Sequence, residues 1–139
     1  DMKLFVDLPG SGLPHPSEMF SSQVPDLVIA LPDKVTVVEL TIPFETNTRN
    51  ARAHKTSKYK NLRSQLLIPC VDFEVIPVEL TTLGFFSRDG TKFKNLLKDL
   101  GCRVDRVVSK MSEVAIRASF YIYCRRNKTW TNPEYLKYI

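Results

Sequence analysis

Two apolar runs separated by a short break constrain this chain more than anything else in it. Asp26 to Leu31 and Val35 to Ile42 flank Pro32-Asp33 in the stretch PDLVIALPDKVTVVELTI. Both runs are short and rich in valine, isoleucine and leucine, which suits strands buried in a sheet better than helices. Proline at the first central position of a type I turn, followed by aspartate, makes the break a turn. The two runs then form an antiparallel hairpin, and the turn sets its register. A loop with an even number of residues centred between Pro32 and Asp33 puts Asp26 opposite Glu39. A loop with an odd number would shift the register and send the two to opposite faces.

In the first register, chemistry follows from geometry. Directly opposed residues point to one side of a sheet with Cβ atoms about 4.5–5.5 Å apart, close enough for two carboxylates to share one divalent cation. Without a counter-charge they would repel. Pro25 opens the strand, where no ladder partner is needed. Thr41, two residues beyond Glu39, faces the same way. A lysine there would supply the counter-charge, so its source has to be sought in the next element.

That element is a predicted helix from Thr48 to Leu67, entered through Asn47 or Thr48 and stopped before Pro69. At about 100° per residue, Ala51, Lys55, Lys58, Leu62 and Leu66 fall within an arc of about 80°. Two lysines therefore share the apolar face. A lysine directed at a sheet needs an anion or a polarised water nearby; alternatively, both snorkel to solvent along the helix edge.

The remaining chain supplies the scaffold. Lys3 to Leu8 reads as a strand followed by the loop PGSGLPHPS. Phe73 to Leu80 is a further strand, in which Pro77 argues for an edge or a bulge. After Gly84 and SRDG, Phe93, Leu96, Leu97 and Leu100 form one helical stripe closed by Gly101. Val104, Val107, Val108, Met111, Ala115, Ala118 and Ile122 form another, and both read as core helices. The order strand, strand, strand, helix, strand, helix, helix gives an α/β fold, a mixed sheet sandwiched by helices. At 139 residues and 43% hydrophobic content, one domain with one core is expected. The Asp1 start suggests a piece of a longer protein.

Charge narrows the partners. The chain carries a net +5 and a pI near 9.2, and the excess is local: Arg49, Arg52, Lys55, Lys58, Lys60 and Arg63 cluster, with no acidic residue between Glu45 and Asp72. This permits an anionic partner such as nucleic acid, while a solvated basic helix face explains the same residues. No apolar run is long enough for a membrane span, and no membrane partner is expected. Cys70, Cys102 and Cys124 are odd in number and widely spaced, which indicates a reducing intracellular compartment and neither a disulfide framework nor a zinc site.

Pro25-Asp26, the step to Glu39, the phrase ELTIPFE, the downstream KTSKY, EVIPVEL, GFF and the late CRRNKTW together resemble the PD-(D/E)XK, or restriction-endonuclease-like, nucleases. More narrowly, they resemble the endonuclease domain at the carboxyl end of site-specific non-LTR retrotransposons and proteins derived from them. The resemblance covers most of the chain. It implies a single restriction-endonuclease-like domain over residues 1–139, with a central mixed sheet, flanking helices and extra C-terminal helices. Asp26, Glu39 and the Leu40 carbonyl would bind Mg²⁺ or Mn²⁺, and a lysine would help orient or activate water. ELT departs from the usual carboxylate-X-lysine, as in members whose lysine has moved to the following helix; Lys55 is the first choice and Lys58 the second.

The resemblance implies a nuclear enzyme that cuts target DNA as part of a larger retroelement protein, and a homodimer is compatible with it. Arg49, Arg52, Lys60 and Arg63 are candidates for phosphate contacts, which give affinity without sequence choice. Glu18, Tyr59 and Glu79 are accessory candidates, for which helix-start charge, packing and a solvated strand end respectively are the ordinary explanations. Arg125, Arg126, Lys128 and Trp130 suggest a stacking and phosphate-binding tail; alternatively, Trp130 closes the core. Two alternatives stand beside the nuclease: a catalytically inactive nucleic-acid-binding or protein-interaction module, and an RNA-processing nuclease of the same fold.

Overall fold

The hairpin forms in the first of the two registers. In the computed structural model, which describes residues 1–69, 72–87 and 90–125 apart from the side chains of Glu45 and Thr48, β2 (Leu27–Ala30) pairs antiparallel with β3 (Lys34–Thr41). Ala30 lies opposite Val35 and Leu27 opposite Val38. The Leu31 N–H donates to the Lys34 carbonyl at 2.8 Å, closing the turn over Pro32-Asp33. One further step along the ladder brings Asp26 to Glu39.

β1 (Lys3–Val6) adds antiparallel to β2, and β4 (Asp72–Glu79) adds parallel to β3, giving a four-stranded mixed sheet in the order β1-β2-β3-β4. A parallel neighbour needs a crossover, and α1 (Thr48–Lys58) lies within it. β4 is an edge strand, so Pro77 breaks no ladder on its open side. α2 (Thr91–Asp99) and α3 (Val104–Arg125) follow. The chain is thus an α/β fold with the predicted order of elements.

Strand alternation sorts side chains between two cores. On one face Phe5, Val28, Ala30, Val35 and Val37 meet Met19, Phe20, Tyr59 and Leu62. On the other, Val38, Ile76 and Val78 meet Phe93 and Leu97 of α2 and Val104, Val107, Val108 and Met111 of α3. Each fully buried side chain of this kind stabilises the fold by about 1.5–3 kcal/mol. α2 ends as predicted: Gly101 takes φ +75°, and the Gly101 and Cys102 N–H groups donate to the Lys98 and Leu97 carbonyls, the arrangement that satisfies a helix's last carbonyls.

Two expectations need correction. The helix expected from Thr48 to Leu67 stops at Lys58, and the chain re-enters a 3₁₀ turn at Leu62–Gln65. The cause is pairing with a distant segment: Leu67 N–H donates to the Met19 carbonyl, Ser21 N–H donates to the Gln65 carbonyl, and Phe20 bridges Leu66. Those backbone groups cannot also serve a helix. The second concerns α3. Its stripe is core only as far as Ala115; Ile122, expected inside, is exposed, as are Ile116, Phe120 and Tyr123. At 22 residues α3 is about 33 Å long, and its last turns lie outside both core clusters. With Phe44 and Leu83 these side chains line an open apolar groove of about 570 Å³.

Among the described residues no helix is long and apolar enough to cross a membrane. Cys102 and Cys124 are free and exposed. Cys70 lies outside the described residues, as do Arg126, Lys128 and Trp130 of the expected tail.

Candidate functional site

Asp26 sits one residue before β2; its carbonyl still accepts from the Asp7 N–H next to β1, while toward β3 side chains take over the pairing. The Asp26 N–H donates to Glu39 Oε1 at 3.0 Å, and the Leu40 N–H donates to Asp26 Oδ2 at 2.8 Å. Each carboxylate thus accepts a hydrogen bond from the other strand, which fixes both side chains on one face. Their environments differ. The Glu39 side chain is fully buried, whereas that of Asp26 is 46% exposed, so the pair opens to solvent on the Asp26 side.

A lysine reaches the pair from α1. Lys55 Nζ donates to Glu39 Oε2 at 3.0 Å and stands 3.9 Å from Asp26 Oδ2. Burial pushes the Glu39 carboxyl above the usual carboxylate range; the Lys55 hydrogen bond opposes that rise, and the Asp26 charge adds to it. Tyr59, at the end of α1, is buried beneath the lysine, with its ring centroid 5.7 Å from Lys55 Nζ. Burial, and next to it the negative charge and hydrogen bonding of Glu39, drive the Tyr59 hydroxyl above its ordinary range, with smaller contributions from Asp26 and Asp7. It therefore stays a neutral donor. Glu39, Lys55, Thr56, Tyr59, Lys60 and Pro77 line a cleft of about 200 Å³ beside the cluster.

The donor set suits a hard divalent cation. A carboxylate oxygen that accepts one hydrogen bond retains a second lone pair, so Asp26 and Glu39 keep coordinating capacity. The Leu40 N–H faces the Asp26 carboxylate, and the carbonyl of a strand residue points to the same side as its N–H, toward that gap. Among the described residues no third Asp, Glu, His or Cys completes a metal-binding group. Two carboxylates and a carbonyl match a cation that keeps several waters or takes substrate phosphates, as Mg²⁺ does.

A second ionic cluster lies one helical turn away. Arg52 Nε donates to Glu79 Oε1 at 2.8 Å, Arg52 Nη2 donates to Glu79 Oε2 at 2.7 Å, and Ser87 Oγ donates to Glu79 Oε2 at 2.9 Å. Glu79 is only 2% exposed, so the strand-end carboxylate expected in solvent is buried, because an arginine from another element neutralises it. Its register partner is Thr41, whose Oγ1 is buried without a hydrogen-bond partner among the described residues.

The other site candidates lie further out. Lys58 is exposed and rests against the Tyr59 ring at 5.1 Å, not against the carboxylates. Arg49, Lys60 and Arg63 are exposed, while Arg52 turns inward to Glu79. Glu18 is exposed in the turn Pro16–Glu18, on the loop joining β1 to β2. Two residues escaped the sequence reading. Asp7 donates its N–H to the Asp26 carbonyl and binds His15, and alternation from Phe5 could have placed it on the same face. Ser87 lay hidden in SRDG, where only a chain break was legible.

Comparison with protein-family models finds no match to this chain, and neither does comparison with curated proteins.

Proposed function

We propose that this chain is a metal-dependent DNA endonuclease domain of the restriction-endonuclease-like type, which nicks target DNA for a retroelement or descends from such an enzyme. The observation that carries this reading is the trio itself: two carboxylates locked on one face by reciprocal backbone hydrogen bonds, with a helix-borne lysine 3.0 Å from one and 3.9 Å from the other.

Asp26, Glu39 and the Leu40 carbonyl would hold Mg²⁺ or Mn²⁺. When bound, such an ion supplies charge neutralisation at the scissile phosphate and acidifies an attacking water. Glu39 anchors Lys55, and Lys55 presents its ammonium at the edge of the carboxylate pair, where it can orient a water or oppose charge building on phosphate oxygens. The Tyr59 hydroxyl, held neutral, donates within the same cluster. Arg49, Lys58, Lys60 and Arg63 contact backbone phosphates, giving affinity that falls steeply with salt and reads no bases. Target choice then belongs to other domains of a larger nuclear protein.

The inactive-module reading has one observation in its favour: Thr41 stands where a strand lysine would complete the carboxylate-X-lysine pattern. Nicking of supercoiled plasmid in Mg²⁺ or Mn²⁺ separates the two. Wild type should nick, and Asp26→Ala and Glu39→Ala should each lose at least about a hundredfold, since metal assistance amounts to several kcal/mol and each 1.36 kcal/mol is tenfold. Lys55→Ala should fall between them and wild type. Equal cleavage by all four proteins overturns the site; no cleavage by any, with salt-steep DNA binding retained, establishes the binding module.

A further inference from the structure

The Arg52–Glu79–Ser87 cluster takes no part in the chemistry above, yet it is fully built. Glu79 is 2% exposed, and a carboxylate that far from water is costly unless its lone pairs are met. Both guanidinium prongs and the Ser87 hydroxyl meet them, and Arg52 Nη2 also lies 3.3 Å from Ser87 Oγ. Buried pairs of this kind add little net stability compared with apolar packing. What they add is direction.

α1 is the element that needs direction. Its sequence, TRNARAHKTSK, contains no large apolar residue, and Ala51, Arg52 and Lys55 are its only half-buried positions among the side chains described. Within its own residues α1 therefore has no apolar anchor, and the buried Tyr59 that follows it pins only its C-terminal end. Arg52 and Lys55 lie three residues apart on one side of the helix, about 4.5 Å along its axis. Their partners lie on neighbouring strands and the same face, Glu39 in register with Pro77 and Glu79 with Thr41. A planar two-pronged guanidinium sets an angle as well as a distance, whereas an ammonium on a flexible stem sets only a distance.

We infer that Arg52, clamped by Glu79 and Ser87, is a positioning residue that fixes the roll and height of α1 so that Lys55 meets Glu39 and Asp26. The catalytic consequence rests on the nuclease reading; the geometric one does not. It also separates Arg52 from the other basic residues of this region. An arginine on phosphate acts on KM and on the salt slope, whereas a positioning arginine acts on kcat.

The test compares wild type with Arg52→Ala, Arg52→Lys, Ser87→Ala and, as the phosphate-contact reference, Arg49→Ala. Three readouts are taken: plasmid nicking, amide hydrogen exchange, and the lysine-ammonium NMR resonance of Lys55. Arg52→Ala should lower kcat about 10–100-fold, the range for residues that orient a metal site from outside it, with KM changed less than about twofold. Exchange across residues 51–58 should quicken at least about tenfold while Val38 and Ile76 stay protected, and the Lys55 resonance should be lost. Arg52→Lys should recover part of each effect, Ser87→Ala should show a smaller loss in the same direction, and Arg49→Ala should move KM alone.

Unchanged exchange and an unchanged Lys55 resonance in Arg52→Ala overturn the clamp, as does a rise in KM at constant kcat. If Arg52→Ala unfolds, Ser87→Ala decides by the same readouts. If wild type does not nick, the nuclease reading falls, and exchange with the ammonium resonance still decides the clamp.

Discussion

α1 and α2 cover opposite faces of one sheet and are held there by different forces. α2 drives Phe93 and Leu97 into Val38, Ile76 and Val78, with Phe93 stacked on Phe86 at 6.4 Å and 10°. α1 is held through Arg52 on Glu79 and Lys55 on Glu39. Apolar burial is strong and non-directional, so it tolerates small displacements of α2 at little cost. Charged hydrogen bonds contribute less net stability and far more geometry. Stability and placement are thus divided between the two helices: the apolar core on the α1 side is closed by Met19, Phe20, Tyr59 and Leu62 and not by α1 itself, whereas α1 contributes the charged groups that meet the strand carboxylates.

The largest effect expected from this division is on the α2 face. Phe93→Ala should lower the urea-unfolding free energy by about 3–5 kcal/mol, the range for truncating a buried phenylalanine. On the α1 face, replacing both partners, Arg52→Met with Glu79→Leu, should leave global stability near neutral or raise it by about 1–4 kcal/mol, because well-packed apolar groups usually match or exceed a buried ion pair. Plasmid nicking should fall in the same double variant. If the double variant costs as much stability as Phe93→Ala, the two helices do not divide their work in this way.

How much of this was legible in the sequence depends on the range of the interaction behind each feature. The hairpin is local, and its register only partly so: Pro32-Asp33 marks the turn, but the sequence leaves two loop parities open, and the even one carries Asp26 to Glu39. The end of α1 is not local, since it is decided by Met19–Ser21 pairing with Gln65–Leu67. Helical periodicity placed Lys55 and Lys58 on one face but could not choose between them, because that choice turns on where the helix ends and on Tyr59 being buried after it. Glu79 looked like a solvated strand end because the arginine that buries it arrives from another element. The α3 stripe showed which residues share a side, but not how many of them a core would cover.

A smaller effect tests the electrostatics of the α1 face in metal-free protein. Burial holds the folded Glu39 carboxyl above the ordinary glutamate range, so the folded state holds this proton more tightly than the unfolded state does. The sign follows from linkage: the group's contribution to stability is complete below the unfolded value and is lost as pH rises through the folded one. Glu39→Gln cannot titrate. The stability of wild type minus that of Glu39→Gln, measured by urea unfolding in chelator, should therefore decline from about pH 4 toward neutrality. A difference that rises with pH would mean that Lys55 outweighs burial at Glu39.

The smallest expected effect asks whether the amine must come from α1 at all. Thr41 lies on the Glu39 face two residues further along β3, about 6.8 Å away at strand spacing, and its buried hydroxyl oxygen has no partner among the described residues. A lysine at this position would stand on a rigid strand next to the carboxylates, but it would also face Glu79 and compete with Arg52 for it. Adding Thr41→Lys to Lys55→Ala should therefore restore nicking only about tenfold over Lys55→Ala alone, one hydrogen-bonded charge's worth of barrier. Full recovery would make α1 a dispensable carrier of the amine. No recovery would mean that the neighbouring ion pair, by capturing the new ammonium, excludes a strand lysine and ties the site to the helix.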